Sequence, residues 1–155
     1  MQDKKEKGRR NVRWLRHANS LNSLKGISPM NFPADVKYTK DHEWIRISGD
    51  TGIVGITDYA QGELGDVVFL ELPAVGKMVK QHESFGTIEA VKAVSDLYAP
   101  VSGSVVEVNA DVAATPEVVN KDPYGKGWMV KVKLSNPAEA ASLLDAAGYK
   151  ALIGK

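Results

Sequence analysis

Phe85-Gly-Thr-Ile-Glu-Ala-Val-Lys92-Ala-Val-Ser-Asp-Leu-Tyr-Ala-Pro-Val-Ser-Gly103 is the stretch on which the reading of this chain turns. Phe85, Thr87 and Ile88 before Lys92, and Val94, Leu97, Tyr98 and Val101 after it, are β-suited residues. Two short strands meeting at a bend are expected, with Lys92 at or near the tip. The bend carries no Asn-Gly or Asp-Gly pair of the kind that closes the tightest hairpins. A lysine there presents its amine to solvent from a stiff support, among small and branched apolar neighbours. It is either one more solvated strand lysine or a residue that a modifying enzyme can reach without the fold moving.

Outward from the hairpin, Gly65-Asp-Val-Val-Phe-Leu-Glu71 and Gly103-Ser-Val-Val-Glu-Val-Asn109 share Gly-x-Val-Val, one copy on each side of the lysine. Two similar β-halves closing a flattened hybrid barrel-sandwich fit that placement. Towards the N-terminus, Trp44-Ile-Arg-Ile47 alternates up to Gly49-Asp-Thr-Gly52, a hairpin turn signal, with Ile53-Val-Gly-Ile56 as the partner strand. Asp58 to Gly65 allows a short helix capped by Thr57 or Asp58 and stopped by Gly65.

Towards the C-terminus, Thr115-Pro-Glu-Val-Val-Asn120 reads as a single helical turn, with Thr115 at the N-cap and Pro116 at the first position. Trp128 to Leu134 reads as a strand with Lys131 and Lys133 outward. A C-terminal helix is expected from Asn136, with Glu139 completing a capping box. Ala140, Leu143, Leu144 and Ala147 would form its buried stripe and Gly148 its end, with a further short turn from Ala151 to Ile153. The expected class is mainly β, with short helices and a C-terminal helix.

Composition bounds the function. The 155 residues suit one domain plus a tail, and 43% hydrophobic with 25% charged residues is an ordinary globular balance. A net charge of +1 argues against a nucleic-acid partner, and no apolar run is long enough to span a bilayer. There is no cysteine, so thiolate metal sites, disulfides and a cysteine nucleophile are excluded; with three histidines, a histidine-rich metal site is not expected. No phosphate loop or nucleophile elbow is present, so no self-sufficient active site is expected. Residues 1–30 are basic, with Lys4, Lys5, Lys7, Arg9, Arg10, Arg13 and Arg16 against Asp3 and Glu6. They read as a disordered extension before a domain at 31–155, with Met30 as an alternative start. That makes a bacterial cytoplasmic protein the expectation; a presequence, and with it the mitochondrial matrix, is the alternative.

Glu89-Ala-Val-Lys92-Ala, Ser95-Asp96 and Ala99-Pro100-Val-Ser-Gly103 resemble the lipoylation segment of the glycine cleavage system H proteins. The resemblance extends through His42-Glu-Trp44, Gly55-Ile-Thr-Asp-Tyr-Ala60, Leu64 to Pro73, Pro123-Tyr124 and Gly127-Trp128. Biotin carriers of the same superfamily typically flank the lysine with methionines, whereas Val91 and Ala93 stand here. The resemblance implies a non-enzymatic carrier with lipoate amide-linked to Lys92. The implied partners are glycine decarboxylase (pyridoxal phosphate), an aminomethyltransferase (tetrahydrofolate), dihydrolipoyl dehydrogenase (FAD) and a lipoylating enzyme. The methylamine group of glycine would pass from the first to the second on the arm.

The resemblance further implies that Glu43 and Asp96 line a cleft for the loaded arm, and that Glu89 helps the lipoylating enzyme. His42 is read as structural or as a contact of the arm. Glu43 alternatively reads as a solvated strand carboxylate and Asp96 as a turn or cap residue. Asp41 departs from the small polar residue frequent before His-Glu-Trp and would add a negative charge near the cleft. The competing readings are a lipoyl domain of a 2-oxo acid dehydrogenase, a lipoyl relay protein and an unmodified β interaction module.

Overall fold

A six-stranded and a three-stranded antiparallel sheet face each other across one apolar core. The computed structural model describes residues 30–155. The expectations placed on the basic stretch before them, including targeting, lie outside the described residues. In chain order the strands are β1 (Lys37–Tyr38), β2 (Glu43–Ser48), β3 (Thr51–Ile56), β4 (Val67–Glu71), β5 (Met78–Val79), β6 (Ser84–Ala90), β7 (Val94–Tyr98), β8 (Gly103–Val108) and β9 (Val130–Leu134). The larger sheet runs β1-β2-β3-β9-β8-β5 and the smaller β4-β6-β7. The flattened, mainly β sandwich expected from the hairpin is therefore what the chain forms. The two Gly-x-Val-Val segments fall one on each sheet, in β4 and β8.

Strand alternation builds the core. On β2, Ile45 and Ile47 turn to the space between the sheets, while Trp44 turns to an outer aromatic cluster with Tyr38, Tyr124 and Tyr149. Trp44 Nε1 donates to the Pro123 carbonyl at 3.0 Å, which fixes the turn cluster beneath β2. β8 approaches β9 so closely at Gly103 that a Cβ there would collide with the Lys133 carbonyl oxygen.

Helix α1 (Asp58–Leu64) has the expected cap, with Thr57 Oγ1 accepting from Ala60 N, and ends at Gly65 in the left-handed half of backbone space (φ 81°). Two sequence-based expectations are corrected. Thr115 does not open a helix. It closes α2 (Ala110–Ala114), whose cap is Asn109 accepting from Asp111 N; α3 (Val118–Lys121) follows without a side-chain cap. The second correction concerns the C-terminus, which is not one helix from Asn136 to Gly148.

Pro137–Ser142 forms a 3₁₀ turn in which Asn136 makes no side-chain cap. The Glu139 carboxylate leaves the turn to accept from Ser102 N at 2.7 Å and Ser102 Oγ at 2.8 Å. Leu143 is extended and Leu144 pairs with Tyr38 across a β-bridge. The true C-terminal helix, α4 (Ala146–Ile153), starts after Asp145, whose side chain accepts from Gly148 N, and ends at Gly154 (φ 77°). Its single buried residue is Tyr149, while Ala147 is exposed.

The close approach at Gly103 yields an expected outcome. Gly103→Ala forces β8 from β9 and lowers stability by about 1–3 kcal/mol in a urea titration, the usual cost of overpacking. An unchanged midpoint would contradict this register.

Candidate functional site

The β6–β7 bend is built without any left-handed residue. Val91 and Lys92 form a two-residue loop between Ala90 and Ala93, and neither has a positive φ. Ala90 N donates to the Ala93 carbonyl at 2.8 Å, and Val91 N donates to the Asp66 carbonyl at 3.0 Å. The second bond ties the bend to the segment that leaves α1. Absence of Asn-Gly is thereby explained, since the primed turns that need such residues are not used. Val91 and Lys92 are exposed, while Ala93 is buried beneath them. The Lys92 stem passes over Gly65, where an added Cβ would stand 3.3 Å from Lys92 Cε.

Beside the bend lies a narrow cleft, part of it open to solvent. One side is apolar, formed by Ile56, Ala60 and Leu64 with Ile88 and Leu97 of the small sheet. The other is polar, formed by Asp41, His42, Glu43, Ser95 and Asp96. The structure thus brings His42, Glu43 and Asp96 into one cleft. Lys92 does not line it; its stem passes over Gly65, the residue after Leu64 of the apolar side. Glu89 is elsewhere, on the β6 position opposite Phe69 of β4 and Val94 of β7.

Glu43 is 2% exposed, which removes the reading of a solvated strand carboxylate. The β2 alternation turns it inward with Ile45. Thr39 Oγ1 donates to its Oε1 at 2.9 Å and Tyr98 N donates to its Oε2 at 3.1 Å. Burial nevertheless dominates and holds the carboxyl well above the usual range. Asp96 is exposed at the rim on β7, accepting from Ser84 Oγ at 3.2 Å; it is a strand residue, not a cap.

His42 sits in a left-handed conformation (φ 74°), held by His42 N donating to the Thr39 carbonyl and Thr57 N donating to the His42 carbonyl. Its Nδ1 is 2.8 Å from Tyr149 Oη, which is also 2.8 Å from Thr57 Oγ1. Thr57 donating to Tyr149, and Tyr149 to His42, satisfies all three groups. Burial lowers His42 to about 4, so its ring is neutral at physiological pH.

Three residues important to this geometry were not singled out from the sequence. Thr39 shapes the turn before Glu43 by accepting from Asp41 N and Glu43 N. Asn120 joins α1 to β4, its Nδ2 donating to the Gly65 carbonyl at 2.8 Å and its Oδ1 accepting from Val67 N at 2.9 Å. Glu63 on α1 is 1% exposed, and burial pushes it up to about 7. Thr39, four residues ahead of a glutamate, offered a local signal for a side-chain turn. The other two depend on packing between distant elements.

Chemically, a primary amine on a fixed bend beside an apolar cleft with carboxyl groups suits a covalently attached chain with a cationic end. Among the described residues no group of side chains could hold a metal ion, and no helix is long and apolar enough to cross a membrane.

A family model described as "Glycine cleavage H-protein" matches residues 36–155. The chain is 63% identical over 121 residues to the glycine cleavage system H protein of Symbiobacterium thermophilum, covering 78% of this chain and 94% of that one. It is 61% identical over 127 residues to that of Chlorobium luteolum, covering 81% and 99%. The crystal structure of a glycine cleavage system H protein from Mycobacterium marinum superposes with a TM-score of 0.75 at 44% identity, covering 80% of this chain and all of that one.

The buried carboxyls set a pH dependence. Glu43 and Glu63 bind protons more tightly folded than unfolded, so each contributes stability that is full below 4.5 and lost as pH rises through its folded value. His42 acts in the opposite sense: its contribution is present above 6.5 and lost as pH falls towards 4. Glu63 is therefore expected to lower the unfolding free energy as pH rises from 4.5 to about 7, with His42 opposing it between about 4 and 6.5. Glu63→Gln should remove the Glu63 share of that dependence, most plainly between pH 6.5 and 7 where His42 no longer contributes. Urea titrations showing an unchanged slope in the variant would contradict the assignment.

Proposed function

The chain belongs to the glycine cleavage H-protein family, and on that premise we propose that it is a non-catalytic lipoyl carrier, with lipoate joined by an amide to Nζ of Lys92. The observation that carries the reading is that Lys92 sits on a clamped bend with its stem over Gly65, next in sequence to Leu64 of a cleft with an apolar and a carboxyl side. The residues fit such a group: a carbon chain matches Ile56, Ala60 and Leu64, and a cationic end matches Glu43 and Asp96. The chemistry that bound lipoate supplies is that of a dithiolane, a disulfide able to accept the methylamine group of glycine with two electrons and then to be reoxidised.

The chain's own residues do the rest. Lysine plus lipoate spans on the order of 10–15 Å from ordinary bond lengths, enough to leave the cleft and enter a partner's. Tethering at Lys92 keeps the cargo at high effective concentration. The apolar side of the cleft excludes water from a water-sensitive end. Burial makes the charged form of Glu43 unfavourable, and a cation entering the cleft would favour that form. Because the His42 ring is neutral, it offers that cation no like charge.

The proposed partners are a pyridoxal phosphate-dependent glycine decarboxylase, a tetrahydrofolate-dependent aminomethyltransferase, dihydrolipoyl dehydrogenase with its FAD, and a lipoylating enzyme. A bacterial cytoplasm is the proposed setting, as the relatives above come from bacteria. Glu89, on the outer position opposite Phe69 and three residues before Lys92, is proposed as a contact for the lipoylating enzyme.

Two outcomes follow. Lys92→Arg should melt at the wild-type temperature yet support no glycine–CO₂ exchange with the decarboxylase; retained exchange would sink the assignment. Glu89→Ala should slow lipoylation by about tenfold, the loss of roughly 1.4 kcal/mol at a charged rim. Equal modification rates would remove Glu89 from the recognition surface.

A further inference from the structure

Glu63 differs from every other carboxyl at the site. It precedes Leu64 of the cleft by one residue and Gly65, beneath the Lys92 stem, by two. It is almost fully enclosed, yet among the described residues its Oε2 has no hydrogen-bond partner. A buried acceptor without a donor is unfavourable, and as packing alone the position would be served better by an apolar side chain. Among the described residues two cations act on it, Lys155 beyond α4 and Lys92 at the bend, and neither overcomes the burial that pushes the carboxyl up.

We propose that Glu63 positions the root of the Lys92 arm, its buried Oε2 serving as acceptor for Nζ, as an ammonium before acylation and as an amide N–H after it. The inference rests on the lipoyl-carrier reading only for the acylated state. Held there, the first polar atom of the arm lies beside α1, the helix that supplies Ala60 and Leu64 to the cleft. The arm then leaves the bend along the cleft instead of away from it. Acylation removes the ammonium charge. Glu63 loses that cation, keeps Lys155, and shifts further towards its neutral form, which keeps a carbonyl oxygen able to accept from the amide.

Two measurements test this, neither of which uses lipoate. Carboxyl ¹³C NMR follows the titration of Glu63 in the unmodified protein and in Lys92→Gln, with Lys155→Gln as the reference for the other cation. The midpoint should rise by about half a pH unit in Lys92→Gln. A midpoint that moves only in Lys155→Gln, or in neither variant, overturns the proposal. In protein acetylated at Lys92 with a ¹⁵N-labelled side chain, exchange of the side-chain amide proton should be about tenfold slower in wild type than in Glu63→Leu, the protection expected of one hydrogen bond of roughly the usual net strength. Glu63→Gln, which keeps a carbonyl acceptor, should restore the protection. Equal exchange in all three overturns the positioning role, since a purely structural role would not be rescued in this way. Failure of Lys92 to be lipoylated in a competent host would remove the carrier function and leave both results readable.

Discussion

The hydrogen bond from Val91 N to the Asp66 carbonyl is the contact on which the site depends. A lysine that carries cargo must be mobile beyond its Cβ and immobile before it. The Val91-Lys92 loop has no glycine or asparagine to lock a tight turn, so its rigidity comes from outside the hairpin. Asp66 follows Gly65, the last turn of α1, and Asn120 of α3 holds the Gly65 carbonyl and Val67 N together. The bend, the helix bordering the cleft and the first strand of the small sheet are thus hydrogen-bonded to one another. Removing that coupling would leave the sheets intact and the amine badly placed.

The same economy governs the carboxyls. Enclosing Glu43 and Glu63 costs stability at neutral pH, and a core built for stability alone would not keep them. Thr39 and Tyr98 N offset part of the cost at Glu43. At Glu63 the deficit is left open. Charge that is unfavourable when buried alone and favourable beside a cation or donor is a way of making the cargo complete the fold. Tyr149 extends the arrangement to the C-terminus: one hydroxyl joins α4, the N-cap of α1 and the His42 turn.

Local pattern made much of this legible. The β2–β3 hairpin was announced by alternation up to Gly49, the α1 cap by Thr57, and the lysine hairpin by β-suited residues on both flanks. Illegible features were those decided by distant partners. Glu139 had the spacing of a capping box, but Ser102 captured its carboxylate from another element, and Leu144 was drawn into a bridge with Tyr38. Asn109 looked like a strand end because its capping of α2 shows only once Lys126 and Trp128 carbonyls anchor its amide. His42, Glu43 and Asp96 were gathered in advance by family resemblance; no spacing in the chain places them in one cleft. Glu63 had no signal at all, since its burial is a property of packing.

The central claim is that Lys92 is the attachment point of a lipoyl arm. Its most direct test is the intact mass of the full chain made in a lipoylation-competent host, followed by peptide mapping with a known acceptor expressed alongside. The account predicts one lipoyl group per chain, located on Lys92. An unmodified Lys92 beside a fully modified control would contradict it and return the protein to the class of unmodified β interaction modules.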